Sequence, residues 1–437
     1  MKILIVSEYI APLQAIASIR WTKIAKYLKI SHSNIHITVL TNEKIFDGNN
    51  QRKDLMLEKD MCFFDEYWQL SKSNMLKKYE AIKKKNSSSV SAIQIEIQQC
   101  SSKGSLVQIL KKEGLLGVRD IKEKILFSQA KQFLKDRQFD FDVVISTYGP
   151  AWPHLVAERI KKKHPSIFWI ADFRDPYAKE TDGPFSFWRH NLFVKRHCIA
   201  ADVITRVTDD LYLNEPENAV VKMLPNGYDP EEALAPLSPR DFTIVFTGAL
   251  YGERRDIGVV CKAVKELVLE QKIDGVKVLY AGPDGELGRK IACRYDAQEY
   301  LQDLGALKRT DALKLQQNAA ILLQLNWNTK AERCQWSGKM YEYMMMRKPI
   351  IFVVTGDEPY SFPSYNMSKL GGICYEQCRH KETYPLLKQY ILDKYEEWKR
   401  TGNVSVQRDE EYVQQYSYAN IAESVWKLIC SQEKGRV

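Results

Sequence analysis

No stretch of this 437-residue chain approaches the about 18 consecutive apolar residues of a membrane span, so no transmembrane helix is expected. Paired cysteine spacing is missing too. The nine cysteines are odd in number and scattered, and the nearest two, Cys374 and Cys378, lack histidine partners at zinc-site spacing. Reduced thiols and no metal site are the reading. Absent as well is a secretory leader: Met1-Lys2-Ile3-Leu4-Ile5-Val6-Ser7 runs straight into polar sequence, so a cytoplasmic protein is expected. The loop after that apolar run, Tyr9-Ile10-Ala11-Pro12-Leu13-Gln14-Ala15, is not G-x-G-x-x-G, which excludes the dinucleotide fingerprint.

What is present is ordinary globular composition, 45% hydrophobic and 27% charged, in a chain long enough for two domains with a core each. The formal net charge of +9 suits a nucleic acid, an anionic membrane surface or an anionic substrate and cannot choose among them.

Residues 2–7 form a short apolar run rich in β-branched side chains, as in a buried parallel strand. Helical spacing over 18–28 and a second strand over 36–41 complete one βαβ unit. Arg20, just inside that helix, is either a contact for an acceptor phosphate or a solvated arginine. Residues 44–135 are Lys-rich, with Lys83-Lys84-Lys85 and the run Asn86-Ser87-Ser88-Ser89, and read as a variable basic insertion. Aromatic interleaving is missing there, which argues against a nucleic-acid arm. Strands then follow over 141–147 and 166–171. The loops at their carboxyl ends carry Tyr148 and His154, and Asp172, Arg174 and Asp175; such loops are expected to face a cleft between domains. The segment 183–199 mixes Phe185, Phe187, Trp188 and Phe193 with Arg189, Lys195 and Arg196, which fits either core packing or peripheral contact with a membrane.

Pro230, Pro236 and Pro239 mark a linker. After it, strands over 242–248, 276–283, 321–326 and 350–354 alternate with helices, as in a second doubly wound domain. Gly248 allows a phosphate to approach the backbone, and Arg254, with Arg255 as second choice, can neutralise it. The helix expected from Ser337, a good N-cap, to Arg347 and Lys348 has free N–H groups at Ser337, Gly338 and Lys339, a seat for phosphate. Glu342 lies one turn deeper on the face of Gly338, within reach of two vicinal hydroxyls. Phosphate at the tip and ribose on the carboxylate together describe a nucleoside diphosphate. An amphipathic helix with a solvated glutamate gives the same pattern.

The run Trp-Ser-Gly-Lys-Met-Tyr-Glu-Tyr-Met-Met-Met-Arg-Lys-Pro-Ile-Ile (336–351) resembles the S-G-K-L-x-E-Y-L-A-x-G-K-P-I-L segment of retaining "group 1" GT-B glycosyltransferases. Asp-Phe-Arg-Asp-Pro-Tyr (172–177) and Leu-Pro-Asn-Gly-Tyr-Asp (224–229) resemble two further family strings, and the loop 248–255 a third. The resemblance implies two Rossmann-like doubly wound parallel-sheet domains facing across a cleft. An acceptor-side domain would span 1–235, a nucleotide-sugar domain 240–405, and a helix over 406–437 would cross back. It implies that Glu342 binds the donor ribose, that Ser337, Gly338, Lys339, Gly248, Arg254 and Arg255 surround the diphosphate, and that Arg174, Asp175, Lys339 and Arg254 serve catalysis. Arg20, Tyr148, His154 and Asp172 would meet the acceptor. One departure stands out. Cys334 occupies a position where many members carry a second glutamate near the donor sugar, and Glu332 is out of register.

The expected activity is transfer of a hexosyl or N-acetylhexosaminyl group from a nucleotide-sugar donor to a carbohydrate or lipid-linked saccharide, in surface polysaccharide biosynthesis, with no metal, no separate cofactor and no nucleic acid. A nucleotide-sugar 2-epimerase and a non-catalytic sugar-nucleotide or polysaccharide binding protein are the alternatives.

Overall fold

The computed structural model describes residues 1–43, 53–71, 73–74, 76, 106–175, 183–208, 211, 215–233, 237–330 and 332–433. The chain divides into two compact units, residues 1–225 with 421–437, and 226–420. This boundary lies before the prolines rather than at them, because Tyr228 is tied into the second unit: its N–H donates to Tyr416 O (2.9 Å), and Tyr418 N–H donates to Tyr228 O (2.8 Å).

The first unit is built on a seven-stranded, all-parallel sheet in the order β3-β2-β1-β4-β5-β6-β7. Its strands are β1 (Lys2–Val6), β2 (His36–Asn42), β3 (Glu66–Leu70), β4 (Val143–Thr147), β5 (Phe168–Phe173), β6 (Val203–Arg206) and β7 (Val221–Met223). β1, the first three residues of β4 and the first four of β5 are the apolar runs that burial on both faces demands, and Leu4, Val144 and Trp169 are fully buried.

Residues 44–135 are not simply an insertion. Within them Glu66–Leu70 pairs with β2 in register Thr38↔Glu66, and a helix spans Leu106–Phe133. Trp68, whose indole meets Phe133 and Phe141 at 5.9 Å, anchors that edge strand. The polar composition hid both elements, since an edge strand needs only one buried face. Residues 83–89, with the lysine and serine runs, lie outside the described residues.

The second unit repeats the plan with six parallel strands in the order β10-β9-β8-β11-β12-β13. These are β8 (Thr243–Thr247), β9 (Lys277–Ala281), β10 (Leu301–Asp303), β11 (Ile321–Trp327), β12 (Ile350–Thr355) and β13 (Ile373–Glu376). Apolar side chains fill both faces of this sheet. One face packs Ile244, Phe246 and Leu323 against the helix Gly258–Leu269, and the other packs Val245, Leu322 and Phe352 against the helix Gly338–Met346. In each unit strand order reverses beside the first strand, between β1 and β4 and between β8 and β11. Chains leave a parallel sheet in opposite directions at such a place and open a crevice at the carboxyl ends.

Candidate functional site

In the second unit the loop leaving β8 opens at Gly248, whose φ of +146° is a conformation that other residues rarely adopt. The loop then turns its two arginines opposite ways. Arg254 lies outward, half exposed, 2.6 Å from Glu332 and 4.9 Å above the Trp327 ring, whose indole N–H also donates to Glu332 (2.5 Å). Such a surface pair contributes about 0–1 kcal/mol.

Arg255 turns inward and is only 9% exposed. Its Nη1 donates to Ala249 O (2.7 Å), its guanidinium lies over Tyr251 (4.5 Å) and Trp327 (5.7 Å), and its Nε has no hydrogen-bond partner among the described residues. No carboxylate among the described residues pairs with it. Burial lowers its pKa, and Tyr343 and Cys334 are near enough to act on its charge. Burying an unpaired cation costs several kcal/mol, and one carbonyl with two aromatic faces offsets part of that. Arg254, the first choice from the sequence, is thus exposed and paired, whereas Arg255, the second choice, is buried with no carboxylate partner among the described residues.

The helix Gly338–Met346 carries Tyr343, one of the groups that act on the charge of this arginine. Ser337 occupies the N-cap position, but contrary to expectation its Oγ makes no cap bond; it is buried with no partner among the described residues. The last turn also differs. Arg347 is the left-handed C-cap (φ 52°) and pairs with Glu410, while the buried Lys348 donates to Leu237 O and is lowered by burial to about 8.

One turn in, Glu342 accepts from Lys339 (2.8 Å) and from Gln316 (3.4 Å). Gln316 is fully buried. Its Nε2 also donates to Thr247 at the end of β8 (2.8 Å), and its Oε1 is unpartnered among the described residues. Lys339 and Glu342 thus neutralise each other. Gln316 was missed by sequence reasoning, because a glutamine in a polar helix carries no local signal. Cys334 is 2% exposed, with its thiol pushed far up by burial, so it is a neutral wall rather than a substitute acid.

In the first unit the four residues expected to meet an acceptor, Arg20, Asp172, His154 and Tyr148, are all buried. Arg20 is fully buried and binds Asp172 in a fork, Nε to Oδ2 at 3.0 Å and Nη2 to Oδ1 at 2.8 Å, and it donates to the carbonyls of Leu224 (2.7 Å) and Pro225 (2.6 Å). Asp172 also accepts from Trp21 (2.7 Å) and Thr205 (2.8 Å). Neither side chain meets solvent. The reason is that β5 runs on to Phe173, two residues past its expected end, so Asp172 sits within the sheet instead of on a loop. His154 is fully buried, held by Ser146 Oγ at its Nδ1 (2.8 Å), and burial keeps it neutral with a pKa well below the usual value. Tyr148 is 6% exposed and its ring packs on Phe173.

Arg174 and Asp175 are the solvent-reaching members of that set. Arg174 donates to the carbonyls of Tyr148 (3.2 Å) and Gly149 (3.0 Å) and lies 5.7 Å over Tyr9. Gly149 makes this close approach feasible. Its φ is +99°, and a Cβ there would stand 2.7 Å from Arg174 Nη2. The helix Pro184–Ala200 leaves Phe185, Trp188, Leu192 and Ile199 about half exposed or more, although core packing is the more usual expectation for such a stretch.

No family profile matches the sequence, and no curated protein matches it either. Solved structures do resemble the fold. A structure titled trehalose-6-phosphate from E. coli bound with UDP-2-fluoro glucose superposes with a TM-score of 0.58 at 11% identity, covering 98% of this chain and 99% of that one. TarM gives 0.58 at 10% identity over 98% of both chains. WaaB, a lipopolysaccharide outer core galactosyltransferase, gives 0.53 at 11% identity over 99% of this chain and 100% of that one. At such identities the likeness establishes the GT-B fold, two Rossmann-like domains with parallel sheets.

Proposed function

We propose that this chain is a glycosyltransferase that takes a hexosyl or N-acetylhexosaminyl group from a nucleoside-diphosphate donor to a carbohydrate or lipid-linked acceptor in surface polysaccharide biosynthesis. The single observation that carries this is Arg255, a buried guanidinium without a carboxylate partner among the described residues, close enough to Tyr343 of the helix that bears Glu342, and to Cys334 before it, for both to act on its charge. A diphosphate would supply the missing anion. It would take backbone N–H groups at Gly338 and Lys339, the helix dipole and the Arg255 charge together.

Lys339 is held by Glu342. A diphosphate at the helix tip would compete for that ammonium and release the carboxylate to the ribose hydroxyls, with Gln316 steadying it from behind. As the anomeric C–O bond breaks, charge gathers on the leaving diphosphate, and these cations stabilise it more than they stabilise the bound donor. Such a set performs the task that a divalent ion performs elsewhere, so we propose metal-independent transfer. Retention of configuration follows only from the resemblance at residues 336–351. Arg174 and Asp175 are the proposed groups near the transferred sugar, and with Cys334 neutral the sugar lacks a second carboxylate at that position.

The test is a thermal-shift panel of nucleotide sugars, since a ligand that binds only the folded state raises its melting temperature. Glu342→Ala is expected to weaken binding of the preferred nucleotide about tenfold, equal to about 1.4 kcal/mol. Unchanged affinity by calorimetry sinks the assignment of the ribose site. An epimerised sugar formed without acceptor would make the chain an epimerase instead.

The lipid-linked form of the acceptor is supported by the exposed stripe of Phe185, Trp188, Leu192 and Ile199, with Lys195 and Arg196 beside it. Sedimentation with anionic vesicles is expected to fall at least threefold in Trp188→Ser. Equal sedimentation of the two proteins removes that contact.

A further inference from the structure

A second cleft of about 230 Å³ lies in the first unit, where the last turns of the helices Leu106–Phe133 and Trp152–Lys163 converge. It opens at the amino ends of β4 and β5, the sheet edge opposite the loops that carry Arg174 and Asp175. Leu134, Phe139, Val156 and Ile160 make an apolar floor, and His164 stacks on Phe139 with ring centroids 5.1 Å apart.

The rim is cationic: Lys131, Lys135, Arg137, Arg159 and Lys163 all line the cleft, and no carboxylate does. None of the five forms an ion pair among the described residues. Their neighbours on the same helix behave differently. Lys161 is paired with Asp202 at 2.7 Å and Lys162 with Glu158 at 2.7 Å. Arg137 lies over the rings of Phe133 (4.1 Å) and Trp68 (4.9 Å), which fixes its guanidinium at the rim.

Lysines near a helix C-terminus also complement the dipole, which is the plain explanation to be weighed. Two helix ends contribute about half a negative charge each, roughly one in all. Five cations exceed that by about four, around a floor that is apolar. A free anion would leave the floor wet, and a neutral apolar molecule would leave the charges facing each other. The volume lies below the about 300–1,000 Å³ that encloses a drug-sized ligand, so it suits one end of a molecule.

We propose that this cleft binds an anionic amphiphile, a phosphate or carboxylate head on the cationic rim with the first methylenes of its chain on the Leu134–Ile160 floor. The site is separate from the donor site, and its fate does not depend on the transferase activity. Its ligand comes either from solution or from a bilayer.

The test titrates the full chain calorimetrically with decyl phosphate below its micellar concentration, beside decanol and inorganic phosphate. Decyl phosphate is expected to bind at least tenfold more tightly than either control. The double variant Lys135→Glu/Arg159→Glu, both residues being exposed, should keep its melting temperature and lose at least tenfold in affinity. Equal affinity in the variant, or phosphate alone matching decyl phosphate, overturns the proposal. In a second arm, sedimentation with phosphatidylglycerol vesicles that disappears in the same variant assigns the ligand to the bilayer. Decyl phosphate binding without sedimentation assigns it to a soluble molecule.

Discussion

Arg255→Met is expected to cut kcat/KM by about 10²–10³, about 2.7–4 kcal/mol of transition-state stabilisation, while leaving the ligand-free protein as stable as the parent or more so. Most buried arginines behave in the opposite way, because their removal strands a buried carboxylate. Here there is none to strand, and the substitution relieves a buried cation that meets only Ala249 O and the faces of Tyr251 and Trp327. Two measurements decide it. The melting temperature without ligand should stay level or rise, and the increase produced by a saturating nucleoside diphosphate should vanish. A variant that melts lower yet keeps its nucleotide-dependent increase would show that Arg255 only props the loop. Arg254→Met, which breaks a solvated pair with Glu332, should cost turnover far less.

Arg20→Met should give the largest loss of stability of any single change named here. It leaves Asp172 ionised in the sheet of the first unit, with only Trp21 and Thr205 as donors. Breaking one side of a buried, fork-like ion pair costs about 3–5 kcal/mol, about 10 °C in melting temperature for a unit of this size. The pH dependence gives a second readout. Burial raises the Asp172 pKa, but Arg20 and the hydrogen bonds outweigh it and hold the group below its ordinary value. A carboxylate depressed in the folded state contributes stability that is present above its unfolded pKa and is lost as pH falls through the folded one. The stability gap between the parent and Asp172→Asn should therefore close as acid is added below about pH 4. A gap that stays constant with pH, or an Arg20→Met protein that melts normally and loses only acceptor affinity, returns these two residues to the acceptor.

The parallel sheets were legible because buried strands such as Ile3-Leu4-Ile5-Val6 and Ile350-Ile351-Phe352-Val353-Val354 admit few other structures. β3 was not, since Glu66-Tyr67-Trp68-Gln69-Leu70 is an edge strand buried on one side. At the site, the positions of Gly248, Ser337 and Glu342 followed from turn and helix chemistry. Which of two adjacent arginines turns inward did not: that depends on the left-handed Tyr251 (φ 51°) and Gly252 (φ 68°), which a sequence discloses only for the glycine. Asp172 was misplaced for a related reason. Its string ends in a turn, and a shift of two residues in the strand end moves a carboxylate from loop to core.

Trp327 lies beneath both guanidinium groups and gives its indole proton to Glu332, so its excited state is set by charges that a bound diphosphate would rearrange. The chain contains nine tryptophans, and this one makes the protein its own optical probe. Nucleotide titration should displace the emission of the parent, and Trp327→Phe should bind without the spectral change. The same indole would then report occupancy in real time, with no dye and no acceptor in the cuvette.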